Sequence, residues 1–166
     1  FLYLVRHGQY DAGAPSDDLL GNGLSTLGKR QAKKTARAFE HIPVSAIHFS
    51  TMRRAEETTE PFLELFPEAK PHRTQRLWEA IPCLPLRHPD YFIQQHTPVQ
   101  LQYQAERAEK AYEHYFKRTH GEDKHEILVS HGNLIRYFVC KAMGADPGPW
   151  LGMESYNCGI TRITVH

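Results

Sequence analysis

The alternation of short apolar runs with helical segments constrains this fold most. The runs "FLYLV" (1–5), "SAIHF" (45–49) and "HEILVS" (125–130) have the length of buried strands rather than of helices. "KPHRTQRL" (70–77) is a weaker strand that we place at a sheet edge, and "GITRITV" (159–165) alternates as strands do. Strands separated by helices predict an α/β fold, a three-layer α/β/α sandwich with a mostly parallel central sheet.

The first helical segment follows the opening strand. Within "STLGKRQAKKTARAFEHI", a helix would place Leu27, Ala32, Ala36 and Phe39 on one face. Ser25 stands where a side chain can cap the first turn. This segment should therefore pack one apolar face against the sheet.

Three further segments carry the helical pattern. The segment 53–66 contains Pro61, which predicts either a kink or a helix boundary. The segment 99–119 has the three- and four-residue spacing of a long amphipathic helix. The segment 133–143 should end before Gly144.

Residues 80–98 contain four prolines, which argue against a regular element. We expect an irregular excursion there, near the functional site. No domain linker stands out, so we expect one domain over 1–166. A chain of 166 residues can bury roughly two-thirds of its unfolded surface without help from a disulfide or a metal.

Charge and cysteine content narrow the function classes. The 20 basic and 19 acidic side chains argue against a general nucleic-acid or anionic-membrane surface but permit a small basic site. No apolar run approaches the ~20 residues of a membrane span. Cys83, Cys140 and Cys158 form no C-x-x-C pair and fit buried small residues in the cytoplasm or another reducing compartment. The chain opens at Phe1 inside a predicted strand, which leaves open an upstream targeting or anchor segment.

Three of the predicted strands end directly in residues suited to chemistry. Arg6 and His7 follow the first strand, Arg54 lies shortly after the second, and His131 follows the fourth. Carboxyl ends of parallel strands meet at one sheet edge, so these side chains should converge. Guanidinium groups suit phosphate oxygens, and a histidine with one free ring nitrogen can attack phosphorus. The pattern predicts phosphoryl transfer.

Five short motifs occur in a fixed order: "LVRHGQ", "GLSTLGKRQA", "STMRRAEETT", "LWEA" and "LVSHGNLIRYF". This order resembles the histidine phosphatase superfamily, the phosphoglycerate-mutase-like enzymes, over essentially the whole chain. The "RH-x-QY" start and the "NxIRYxVCxA" helix are most similar to the mitochondrial serine/threonine protein phosphatases of that superfamily. The resemblance implies the phosphoglycerate-mutase-like form of the sandwich.

The resemblance also implies a role for each junction residue. His7 would be the nucleophile that becomes phosphohistidine, and Arg6 and Arg54 would hold phosphate oxygens. His131 would contact the phosphoryl group, and Glu79, in "LWEA", would protonate the leaving oxygen. No metal or cofactor is implied, because the arginines and His131 offset the phosphate charge. Taken singly, each of these residues also fits an ordinary surface or core position.

The sequence departs from the common family pattern after Arg-His-Gly. Many relatives place a small hydroxyl residue and an asparagine there, whereas Gln9 and Tyr10 follow here. The backbone amides of Gly8 and Gln9, or the side chains of Asn22 and Asn133, are our candidates for completing the phosphate pocket.

The leading prediction is a metal-independent phosphatase for phosphate monoesters, phosphoproteins included. The stretch between Glu79 and His131 is short beside the cap region of the mutases, which predicts an open, hydrolytic site. The alternatives are a small-metabolite phosphatase, a phosphoglycerate-mutase-type phosphotransferase and a non-catalytic phosphate-binding scaffold. Trp150, Leu151 and Met153 fit core packing better than the contact patch of a homo-oligomer, which stays open.

Overall fold

The computed structural model describes residues 1–13, 19–119 and 121–165, which alternate between strands and helices as the sequence predicts. The strands are β1 (Leu2–Arg6), β2 (Val44–Ser50), β3 (Lys70–Thr74), β4 (His125–Ser130) and β5 (Ile160–Ile163). The helices are α1 (Thr26–Arg37), α2 (Arg53–Leu65), α3 (Pro89–Gln95), α4 (Pro98–Tyr115) and α5 (Gly132–Ala142).

The five strands form one sheet in the order β3-β2-β4-β1-β5. All neighbours run parallel except β5, which pairs antiparallel with β1. The mostly parallel sheet and the edge position of β3 are thus confirmed. In the central pair Arg6 lies opposite Ser130. The residues that follow β1 and β4 therefore leave the sheet side by side, at the same edge.

Helices cover both faces of the sheet, which confirms the three layers. Leu4 of β1 and Leu128 of β4 point to the face where α4 and α5 pack. The alternate residues Val5 and Val129 point to the opposite face, against α1 and α2. Strand side chains alternate between faces, so one apolar run supplies both cores.

The packed face of α1 differs from the predicted one. Ala32 and Ala36 are buried as expected, but Leu27 is 47% exposed and Gly28 takes the inward position instead. A Cβ atom at Gly28 would lie 1.9 Å from the carbonyl oxygen of Gln9. The helix rests on the backbone of the loop after β1, and only glycine permits that approach. Ser25 caps the helix as predicted, accepting a hydrogen bond from the Gly28 amide.

The prolines act as helix starts more than as breaks. Pro89 and Pro98 begin α3 and α4, at a position where the missing N–H would have no helical partner. Thr97 and Gln100 add a reciprocal capping box to α4. Residues 80–98, predicted to be irregular throughout, therefore contain one helix. The helix α2 also continues through Pro61, which excludes a boundary, one of the two effects predicted for this proline.

Trp150 belongs to the core, as the sequence favoured. Its side chain is wholly buried beside Ile81 and Phe92, and its indole N–H donates to the carbonyl of Cys83 at 3.0 Å. Leu151 packs against the same cluster. This cluster anchors the segment that follows Glu79.

Two of the three cysteines are buried and the third is partly buried. All are free thiols: Cys83, Cys140 and Cys158. None of the helices in the described parts of the chain has the length and apolarity that crossing a bilayer requires.

Candidate active site

His7, Arg54 and His131 come together at the carboxyl edge of the sheet. His7 directly follows β1 and His131 directly follows β4, and their ring centroids lie 5.1 Å apart. Arg54, from the first turn of α2, brings its Nε to 3.1 Å from the Nε2 of His7. Both histidines are almost completely buried. The predicted convergence of distant strand ends is therefore present in the fold.

The hydrogen bonds of His7 fix its tautomer. Its Nδ1 lies 2.8 Å from the carbonyl oxygen of Gly8, which can only accept, so Nδ1 carries the proton. The lone pair is left on Nε2, where it accepts from the Nε of Arg54. The pKa of His7 is lowered to about 3, mainly by burial and also by the charges of Arg54 and Arg6, while the bond to Gly8 opposes the shift. The ring is therefore neutral at physiological pH, and its unprotonated Nε2 faces Arg54.

His131 is buried in a different way. Its Nε2 lies 2.8 Å from the Oγ of Ser50, which ends β2. Its Nδ1 is buried and has no hydrogen-bond partner among the described residues. Burial, followed by the charge of Arg54, holds the pKa of His131 well below its ordinary value. A buried nitrogen without a hydrogen-bond partner is uncommon in a protein core, and a catalytic role is one of the usual reasons for it.

Arg6 and Arg54 provide the positive charge of the site. Arg6 donates through Nη1 to the carbonyl of Ser155, while its Nε is buried without a partner among the described residues. The guanidinium of Arg54 lies over the ring of Tyr10, 5.1 Å from the centroid. Arg53, the neighbour of Arg54 in the sequence, is exposed.

Glu79 follows a short 3₁₀ turn, Gln75–Leu77, at the end of β3. Its Oε1 accepts a hydrogen bond from the amide of Ala80 at 3.2 Å. Burial raises the pKa of the carboxyl, although this Ala80 bond and the charges of Arg54 and Arg6 oppose the shift. A carboxyl that keeps its proton above the usual pH range can act as an acid.

Two of the candidate auxiliary contacts are already engaged within the protein. The amide of Gly8 donates to the Oγ1 of Thr58 at 2.9 Å, and the amide of Gln9 donates to the Oε1 of Gln31 at 2.9 Å. A phosphate oxygen could use either amide only by replacing one of these bonds. Thr58 also donates to the carbonyl of Arg54 at 2.6 Å, so it ties the loop after β1 to α2.

The two asparagine candidates also have protein contacts. The amide nitrogen of Asn22 donates to the carbonyl of Asp11 at 2.6 Å. The side-chain oxygen of Asn133 accepts from Arg136 at 3.2 Å, which leaves its amide group as the part that could donate to a ligand. Of the four candidates, Asn133 fits a donor role best, since it stands in the first turn of α5 beside His131.

Sequence reasoning missed three supports of the site. Tyr10 flanks His7 edge to face, with ring centroids 5.7 Å apart, and is 40% exposed. Asn157 donates to the carbonyl of His7 at 3.0 Å, and the amide of Cys158 donates to the carbonyl of Arg6 at 3.0 Å. Tyr10 ends the "RH-x-QY" start, but its contact with His7 depends on the fold, and no sequence motif marks bonds to backbone carbonyls.

Comparison with known proteins places this geometry in a family. The sequence profile of the histidine phosphatase superfamily (branch 1) matches residues 2–81 and 86–166. The chain is 32% identical to the mitochondrial serine/threonine-protein phosphatase PGAM5 of Xenopus laevis, over 99% of this chain and 60% of that protein. It is 33% identical to Pgam5 of Caenorhabditis elegans, over 99% of this chain and 57% of that protein. The chain thus spans about three-fifths of the length of these relatives.

Solved structures agree with the fold. Phosphoglycerate mutase from Plasmodium falciparum is 29% identical, with a TM-score of 0.64 over 96% of this chain and 78% of that chain. A phosphoserine phosphatase from Entamoeba histolytica, 18% identical, has a TM-score of 0.69 over 96% of this chain and 87% of that chain, and shows the fold alone. On the profile match and these identities, the chain belongs to the histidine phosphatase superfamily.

Proposed function

We propose that this chain is a metal-independent phosphatase that hydrolyses phosphate monoesters of proteins through a phosphohistidine at His7. One observation carries the proposal: the Gly8 carbonyl holds the proton on Nδ1 and leaves the Nε2 lone pair between Arg54 and His131. A neutral imidazole with a fixed tautomer is a competent nucleophile. With a pKa of about 3, His7 needs no general base to free its lone pair at neutral pH.

The first step forms a P–N bond and breaks a P–O bond. The Nε2 of His7 attacks phosphorus in line with the ester oxygen, and that oxygen leaves with the proton of the Glu79 carboxyl. Arg6 and Arg54 hold the phosphoryl oxygens and offset the charge that spreads over them in the transition state. The charge these groups supply is what a metal ion would otherwise provide, which supports metal independence. The products are an alcohol and phosphohistidine.

The second step reverses the roles. A water molecule gives one proton to the Glu79 carboxylate, and its oxygen bonds to phosphorus while the P–N bond breaks. The bonding electrons return to the Nε2 of His7, and inorganic phosphate leaves. His131, whose pKa burial holds well below its ordinary value, can donate a ring N–H to a phosphoryl oxygen in both steps.

Phosphoproteins are favoured as substrates for two reasons. The relatives of 31–33% identity bear the name serine/threonine-protein phosphatase. Tyr10, whose ring flanks His7, is partly exposed, so the nucleophile lies close to the protein surface. Small phosphorylated metabolites are the second candidate, since a solved structure with this fold is a glucosyl-3-phosphoglycerate phosphatase.

Trapping of the phosphoenzyme tests the chemistry. After incubation with a labelled phosphate ester and rapid denaturation, the protein should carry label that is stable in alkali and lost in acid, as a P–N bond requires. His7→Ala should lose the label and at least about 10⁴-fold in turnover, because the nucleophile is absent. Circular dichroism should show that the variant is folded. Label that maps to His131, or turnover that persists in His7→Ala, would contradict the assignment.

A substrate panel tests the class. Phosphoserine and phosphothreonine peptides should give a higher kcat/KM than 3-phosphoglycerate or sugar phosphates at equal concentration, and excess chelator should leave each rate unchanged. His7→Ala is the control for contaminating phosphatases. A preference for the small esters would move the proposal to the metabolite class. Loss of turnover in chelator, restored by a divalent ion, would overturn metal independence.

A further inference from the structure

Arg107 on α4 reaches the backbone around the proposed acid. Its Nη1 donates to the carbonyls of Trp78 at 2.9 Å and Gln75 at 3.2 Å, and it lies 3.4 Å from the carbonyl of Arg76. Its Nη2 donates to the carbonyl of Glu79 itself at 2.8 Å. One planar guanidinium therefore gathers four carbonyls of a single short segment.

Gln104 holds the same segment from the next turn of α4. Its Oε1 accepts a hydrogen bond from the amide of Ile81 at 2.8 Å. Arg107 and Gln104 stand three positions apart on the helix, so they project from the same side. Glu79 thus lies between the carbonyl of Trp78, which binds Arg107, and the amide of Ile81, which binds Gln104.

The sheet itself does little to place Glu79. The strand β3 ends at Thr74, and the chain then turns through Gln75–Leu77 before it reaches the carboxyl. Ser130 donates to the carbonyl of Leu77 at 2.9 Å, which links this turn to β4. Beyond Leu77, the Trp78 indole N–H donates to Thr51 and the backbone of Leu134 binds the Glu79 carboxyl, while two side chains of α4 bind the backbone on either side of the acid.

Arg107 forms no ion pair with a carboxylate in the described ranges of the chain, and it is partly buried. Burial lowers the pKa of its guanidinium, with Tyr103 and Glu79 acting against the shift. Placing a cation against carbonyl oxygens instead of water or a carboxylate costs solvation. We attribute this cost to a role at the site: the guanidinium of Arg107 fixes the backbone around Glu79.

We propose that Arg107, with Gln104, is the positioning residue for the general acid. The pair holds the backbone from Gln75 to Ile81 so that the carboxyl of Glu79 meets the leaving oxygen. Neither side chain touches the reacting atoms in this arrangement. The inference rests on the role of Glu79 in the proposed function. It assigns to α4 the task of placing the carboxyl for proton transfer.

The test compares two leaving groups. The leaving group of a phosphoserine peptide is a serine alkoxide, which is unstable and needs a proton from the acid. The leaving group of an aryl phosphate is a stable phenolate, which needs that proton little. The constant to measure is kcat/KM, because it covers formation of the phosphoenzyme and not its hydrolysis. Arg107→Gln should lower kcat/KM on the peptide about 10²-fold, since a displacement near 1 Å costs that much. It should lower kcat/KM on the aryl ester by no more than about 3-fold.

Further variants separate positioning from general destabilisation. Arg107→Lys keeps the charge and one donor position, so it should recover part of the peptide rate. Lys110→Gln removes an exposed cation from the same helix and should leave both rates unchanged. In a Glu79→Gln background, Arg107→Gln should cost nothing more on the peptide, because the group it positions has no proton to give. Thermal unfolding of each variant monitors the fold.

The outcomes are distinguishable. Equal losses on both substrates in Arg107→Gln and Arg107→Lys, while Glu79→Gln alone is selective for the peptide, would overturn the inference and keep the proposed function. A further loss upon adding Arg107→Gln to Glu79→Gln would overturn it too. Equal losses on both substrates in Glu79→Gln would instead remove the acid role from Glu79, and with it the group that α4 is said to place.

Discussion

Among the residues that the structure describes, two pairs of histidine rings are neighbours, and only one of these pairs has the surroundings of a site. His7 and His131 face each other at the carboxyl edge of the sheet, with centroids 5.1 Å apart and ring planes tilted by 58°. His48 and His72 lie opposite each other on β2 and β3, with centroids 4.6 Å apart and planes within 11°. Ring proximity alone therefore does not separate a reactive pair from a structural one.

The charges around the two pairs do separate them. Arg54 donates to His7, and no carboxylate contacts either ring of that pair in the parts of the chain that the structure describes. In the second pair, the Nε2 of His48 lies 3.3 Å from the Oε2 of Glu126. The surroundings of His7 favour a neutral ring and place arginines where an anionic ligand can bind. In the second pair, the carboxylate of Glu126 occupies the corresponding role of the anion. The comparison teaches that the arginines, more than the histidines, mark the site.

The largest effect should come from an arginine of the site set against one outside it. Arg54→Ala removes a charged fork from the phosphoryl group and should lower kcat/KM about 10²–10³-fold. Arg73, on β3, forms a surface ion pair with Glu56 of α2. Arg73→Ala breaks this pair and should leave kcat/KM within about 2-fold. Steady-state kinetics on the same phosphopeptide measures both. Comparable losses in the two variants would erase the distinction between the regions.

A smaller effect should appear in the pH dependence of stability. The pKa of His7 is about 3 in the folded chain and 6.5 in the unfolded chain. The contribution of its neutral form to stability is therefore complete above pH 6.5, and this contribution is lost progressively as the pH falls toward 3. By linkage this costs about 2 kcal/mol of unfolding free energy at pH 5. His7→Gln should remove that part of the loss between pH 7.5 and pH 5.

His72→Gln provides the matched control for this measurement. His72 is exposed, and burial lowers its pKa by less than it lowers the pKa of His7, so replacing it should change the slope of unfolding free energy against pH much less. Denaturant melts at pH 7.5, 6 and 5, in the absence of phosphate, give the slopes. Equal slopes in His7→Gln and in the unmodified protein would mean that His7 is protonated as readily in the folded as in the unfolded chain.

The sequence was sufficient for the sheet and for the residues at its edge. Apolar runs of strand length ended at Arg6, Ser50 and Ser130, and parallel pairing then required the following side chains to meet. That inference uses only periodicity and topology, both of which are written in the order of residues. The position of His131 beside His7 follows from it directly.

What the sequence did not predict depends on close three-dimensional contact. Gly28 replaced Leu27 on the inner face of α1 because of a carbonyl oxygen in another segment. Arg107 carried no signal, because the groups that it binds are backbone carbonyls, which every residue has. The helix α3 was missed because Pro89, counted as a breaker, stands at the one helical position that suits proline.

The strand order has a consequence for how the enzyme acquires its activity. β1 lies at one end of the chain and its parallel partner β4 near the other, yet the amide of His7 donates to the carbonyl of Ser130 at 2.9 Å. Closing so long a loop costs chain entropy that only the completed pairing recovers. His7 and His131 can therefore meet only once β1 and β4 have paired. During synthesis, a ribosome-bound chain that lacks β4 contains His7 but not His131, so the proposed phosphoryl site can form only after β4 has been made.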